Sequence, residues 1–285
     1  MTCTGNLKKS PPWHNCYSHS EQDIESRSRR ATTMMQTAKT VHLKPQTIEA
    51  FGAYILAAET EAEQTLRAGS HFLWSDASPE RMTRLREGRV VAQFWTGEAP
   101  VKVPEGLIHD WVGAALLPGK TVAQVLALIQ DYDNHKEIYQ PEVIASRLIN
   151  RHGTDFLVYL RLLKKKIVTV VLDTEHAVHY RSLGETRWKC RSCTTRIAEV
   201  EDAGTSKEKI LPPDTGHGFL WRLHSYWRFE ERDEGVYVDC RAISLTRDVP
   251  FGLGWVIEPI IQKLPQESLI RTLEATRNAL QNQMI

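Results

Sequence analysis

Between residues 143 and 248 apolar and polar side chains alternate with a period of two over six successive stretches: Val143–Arg151, Asp155–Leu163, Ile167–Ser182, Glu185–Glu199, Gly218–Glu230 and Gly235–Asp248. Such alternation marks a strand with one buried face. Strand follows strand with hairpin-type connections and no helix between, which predicts an antiparallel sheet in an α+β domain. Several stretches exceed the usual five or six residues, as a sheet that bends around something requires. Gly106–Leu117 differs, because Leu107, His109, Trp111 and Ala115 on one side and Ile108, Val112, Ala114 and Leu116 on the other are both apolar. That segment is expected to be buried on both faces.

Helical spacing brackets the strands. Ile48, Phe51, Ile55, Ala58 and Ala62 recur on one stripe of an amphipathic helix. A second, shorter helix is marked by Ser78 as N-cap, Pro79 at its first position and Gly88 beyond its end, and Arg89–Trp95 then reads as a strand. Thr121 caps a helix carrying Val122, Val125, Leu126 and Ile129, and Asp133–Tyr139 forms a short one before Pro141. From Leu253 to Ile285 a stripe of Val256, Ile257, Ile260, Ile261, Leu264, Leu269, Ile270, Leu273 and Leu280 predicts a C-terminal helix. Pro265 interrupts it, either kinking the helix or opening a second one. A stripe that long needs a concave partner, and the bent sheet supplies one. Sheet and helix together make a container.

Residues 1–45 hold few aliphatic side chains and are expected to be disordered or a mis-assigned start. Residues 46–103 form a helical extension expected to dock on the domain of residues 104–285. The loop 201–216 is expected to be mobile at the container's mouth. With 36 basic and 35 acidic residues in 285, no global field draws the chain to nucleic acid. Lys164-Lys165-Lys166 reads as a hairpin tip. Five cysteines, an odd number, disfavour a disulfide framework and suit a reducing compartment. No stretch has the length of a membrane helix or the apolar block of an export signal, so a cytoplasmic location is expected.

The order strand, two helices, run of antiparallel strands, long terminal helix resembles the helix-grip (START-like) superfamily, which includes steroidogenic-acute-regulatory-related lipid-transfer domains, pollen-allergen-type proteins and polyketide cyclases. Thr121–Tyr139 is similar to the paired helices that precede the second strand. Phe251–Leu280, with its Gly-Leu-Gly-Trp start, is similar to the closing helix of bacterial members. The resemblance spans residues 104–285 and implies a cavity for a hydrophobic ligand or lipid between sheet and helix, leaving activity open.

Strand parity turns that implication into candidates. On Gly218–Glu230 the set Phe219, Trp221, Leu223, Ser225, Trp227 and Phe229 is expected to face inward, opposite Arg222, His224, Arg228 and Glu230. The same reasoning selects Thr174, His176 and Tyr180, then Trp188, Ser192 and Thr194, with Val256 and Ile260 contributed by the helix. Inward polar groups among aromatics suit ligand orientation. Their alternative role is mutual satisfaction in a filled core.

Chemistry-bearing motifs are sparse. Cys190 and Cys193 lie three apart on a strand, so they face opposite sides, as do His176 and His179. His217 has no identifiable neighbour in sequence, and Asp131, Asp133 and His135 read as solvated residues near a helix end. No phosphate loop, serine elbow or zinc-protease signature is present, and no catalytic residue, metal ligand or cofactor is expected. Binding of a hydrophobic small molecule is the favoured reading. A cyclase-like enzyme using His176 or Tyr180, and a protein-interaction module with a filled core, are the alternatives.

Overall fold

The computed structural model describes residues 40–67, 69, 71–97, 99–165, 169–248 and 254–282, without the side chains of 254–262. Its elements are β1 (Val41–His42), α1 (Pro45–Arg67), α2 (Pro79–Arg86), β2 (Val91–Phe94), β3 (Val101–Val103), β4 (Gly106–Pro118), α3 (Val122–Ile129), α4 (His135–Ile138), β5 (Val143–His152), β6 (Asp155–Lys165), β7 (Thr169–Ser182), β8 (Arg187–Glu201), β9 (Lys209–Ile210), β10 (Thr215–Gly216), β11 (Arg222–Arg232), β12 (Gly235–Arg247) and α5 (Gly254–Asn282). The helix starts follow from local chemistry. Ser78 accepts a hydrogen bond from the Arg81 amide ahead of Pro79, and Thr121 and Gln124 form a reciprocal capping box at α3.

The large sheet is antiparallel and curved, in the order β2-β4-β12-β11-β8-β7-β6-β5, with β3 also on β4 and β9 on β8. Because β2 and β3 pair with β4, the sheet begins ahead of residue 104. Residues Gly106 to Leu117 of β4 are all buried, which explains their apolar character on both sides. On the outer face α1 sets Phe51, Ile55 and Ala58 against Ile108, Ile243 and Leu245, and Tyr54 donates to Asp110 at 2.8 Å. A neighbouring outer cluster packs Phe72, Leu73, Met82 and Leu85 on Ala114, Leu116 and Tyr237.

On the inner face α5 lies over β4 and β2, with Leu269 and Leu273 against the backbone of Gly113. A Cβ at Gly113 would stand 3.0 Å from Leu273 Cδ1 and 3.1 Å from Leu269 Cδ2, so glycine here sets how closely the helix approaches. The helix runs unbroken through Pro265. Leu269, Leu273 and Leu280, all buried, hold it on the sheet and offset the hydrogen bond the proline cannot donate.

Two strand irregularities change the faces read from parity. A register shift opposite Glu175 and His176 in β7 places a bulge in β8 at Thr195, so that Ile197 and Glu199 come to lie opposite the inward Thr174 and Leu172. Strand β11 begins only at Arg222. Gly218, with φ of 79°, turns the preceding chain, and the expected alternation does not run through residues 219–221. Trp221 therefore does not face inward; it lies in the outer cluster with Phe51, Ile55 and Leu245.

Gly113→Val is expected to force α5 off β4 and cost about 1–3 kcal/mol in chemical denaturation. A variant as stable as wild type would show that the close seat carries no weight.

Candidate ligand cavity

Between α5 and the strands β6, β7, β8, β11 and β12 is a cavity of about 420 Å³. Its position follows from the helix seat: α5 packs down on β4 and stands away from the strands beyond. Val158, Leu160, Val170, Leu172, Val178 and Leu223 give it an aliphatic floor, Leu264, Leu269 and Ala275 a roof, and Ile129, Tyr132 and Tyr139 one wall. The aromatic and apolar lining suits an apolar ligand.

The sequence candidates divide. His176, Tyr180, Ser192, Leu223, Ser225 and Trp227 border the cavity. Thr174 is fully buried behind His176, and Thr194 uses its hydroxyl to accept the Leu223 amide at 3.0 Å. Trp188 packs on the edge of the inner core, and Trp221 is on the far face of the sheet. Val256 and Ile260 lie outside the described side chains. Parity on Gly235–Asp248 puts Cys240 and Ala242 on one face, and both border the cavity; sequence reasoning missed Ser244 on the same strand and Tyr132, His135 and Tyr139, whose short helix and turns gave no periodic signal.

Burial shifts the cavity's titratable groups. It lowers His176 and His135 to about 4 and raises Tyr139 and Cys190 to about 12. Tyr132 and Tyr180 share a 2.8 Å hydroxyl hydrogen bond and are likewise raised, chiefly by burial. These groups are neutral around pH 7. Cys193, as parity requires, lies away from Cys190, 3.4 Å from His224 Nδ1.

Charge is confined to two corners. Lys164, near the end of β6 beside the β6–β7 connection, borders the cavity, ion-paired to Glu142 and donating to Ser268 Oγ at 2.7 Å. Arg271 donates to the same carboxylate at 3.1 Å, tying α5 to the start of β5. Burial lowers the Lys164 pKa. The remaining residues of that connection, 166–168, lie outside the described residues.

At the other corner Glu199, brought inward by the β8 bulge, accepts the amides of His217 at 2.7 Å, Gly218 at 2.9 Å and Phe219 at 3.2 Å. His217 Nδ1 stands 3.0 Å from the same carboxylate. A buried carboxylate so provided for holds residues 217–219 against the cavity. Among the described residues no three His, Cys, Asp or Glu side chains converge as a metal site, and no helix is long and apolar enough to cross a membrane.

The chain has a helix-grip architecture, a curved antiparallel sheet with a long C-terminal helix across its inner face. No family model and no curated protein matches the sequence. Among solved structures, a Thermus thermophilus protein is similar at 14% identity and a TM-score of 0.45, over 61% of this chain and 98% of its own. The STAR-related lipid transfer protein of Xanthomonas axonopodis is similar at 18% and 0.43, over 65% and 98%. The Streptomyces aromatase/cyclase Zhui is similar at 9% and 0.39, over 63% and 95%. Likenesses this distant carry no argument about ligand or activity, and the fold assignment rests on the strand order and terminal helix described above.

The hydrogen bond to Glu199 raises the His217 pKa above its ordinary value of 6.5. A raised folded-state value means the imidazolium adds stability below that ordinary value, and the gain is lost as pH rises through the shifted one. The stability gap between wild type and His217→Asn should thus be wider at about pH 5.5 than at about pH 9. Equal gaps at both would show that the pair does not titrate with folding.

Proposed function

We propose that this chain binds an apolar small molecule, a lipid or polycyclic compound, between the sheet and α5. The observation that carries the reading is an apolar-lined cavity of about 420 Å³, within the range of small-molecule sites, beneath a helix that closes it from one side. Burial of apolar ligand surface drives uptake, and the few inward polar groups set orientation.

Acid–base catalysis works best with a group titrating near neutral pH, and burial shifts His176, His135, Tyr139 and Cys190 well away from it; His217, which borders the cavity beside Glu199, is the group a cyclase-like reading would have to use.

Native mass spectrometry of the purified chain is expected to find an apolar molecule bound; a clean apo mass, with no thermal stabilisation by lipids, would favour the filled-core module. Two tryptophans separate cavity from scaffold. Trp227→Ala should weaken ligand binding about tenfold. Trp221→Ala should instead cost about 3–5 kcal/mol of stability and leave the affinity of the folded protein unchanged. The reverse pattern would place the ligand on the outer face, beneath α1.

A further inference from the structure

Three adjacent strands bring a short polar row into the aliphatic floor: His176 on β7, Ser192 on β8 and Ser225 on β11, the two serines directly opposite each other in register. Proton counting fixes the direction of the hydrogen bonds behind that row. Thr174 has one hydroxyl hydrogen, and it goes to the Leu160 carbonyl at 2.9 Å. Toward His176 Nε2, also 2.9 Å away, Thr174 Oγ1 is therefore an acceptor, so a neutral imidazole carries its proton on Nε2. Burial, which lowers the His176 pKa to about 4, keeps the ring neutral.

Nδ1 is then a bare acceptor, and the hydroxyl within reach is Ser192 Oγ at 3.5 Å. With Ser192 donating to Nδ1, every hydrogen in the relay points out of the cavity toward the Leu160 carbonyl. What Ser192 presents inward is its lone pairs. Ser225, its cross-strand neighbour, has no hydrogen-bond partner among the described residues and keeps a hydroxyl hydrogen to donate. The Tyr132–Tyr180 pair differs, because those two hydroxyls already satisfy each other.

We infer that the row His176–Ser192–Ser225 recognises a hydroxyl group on the apolar ligand, which donates to Ser192 Oγ while accepting from Ser225. The preferred class is an alcohol or phenol on an apolar body. A ketone or ether offers only acceptors and leaves the Ser192 lone pairs unmet; a carboxylate sets a charge against them. This inference rests on the cavity reading above.

Calorimetric titration with the near-isosteric pair 2-naphthol and 2-methylnaphthalene tests it. The ratio of their affinities, phenol over hydrocarbon, should fall about tenfold in Ser192→Ala relative to wild type, the worth of one buried hydrogen bond. It should fall in the same direction in Thr174→Val, which touches no ligand but releases the imidazole proton from Nε2. An unchanged ratio in Ser192→Ala, with both compounds bound, overturns hydroxyl recognition and leaves the apolar cavity standing. Failure of wild type to bind either compound overturns both.

Discussion

The rest of the molecule depends on how α5 sits on β4. Gly113 lets Leu269 and Leu273 reach the strand's backbone, and that close seat at one end of the sheet leaves the helix standing off from the strands beyond. Burying Leu269, Leu273 and Leu280 is worth roughly 1.5–3 kcal/mol each, enough to keep the helix continuous past a proline. The outer helices complete the frame. With α1 and α2 covering the other face, β4 is buried on both sides and gives α5 a rigid bed.

Around the space that remains, the charges at two corners are paired. Lys164 and Arg271 converge on Glu142, and Glu199 is wrapped by three amides and His217. Both arrangements sit where the container's parts meet, fastening α5 to β6 in one place and the 217–219 turn to β8 in the other. The histidine and tyrosines between them are held uncharged by burial. An interior so arranged fits the apolar guest proposed above, since neither Lys164 nor Glu199 would be left without a partner.

Much of this was legible in the alternation of side chains. The six strands, the doubly buried β4, the capped α2 and α3 and the terminal helix all announced themselves by period and cap chemistry. The inward set on β7 was readable as well, because Thr169–Ser182 runs as one strand. Parity failed where the backbone departs from regular pleat. Nothing in the residues around Thr195 announces a bulge, so Glu199 was not seen as an inward group; Gly218 turns the chain, so Trp221 fell on the wrong face. The inward role of Lys164 was hidden for another reason: a lysine run looks solvated until tertiary structure supplies a carboxylate such as Glu142. The wall formed by Tyr132, His135 and Tyr139 comes from turns and a helix of four residues, too short to have a period.

On the proposed reading, a ligand enters the space under α5 and not the outer face of the sheet. Methyl-resolved NMR during titration with a naphthalene derivative tests it most directly. Resonances of Val158, Val178, Leu223 and Leu269 are expected to shift together, while those of Val112, Ile243 and Leu85 stay in place. Shifts confined to the second group, or none in the first at saturating ligand, would contradict the account.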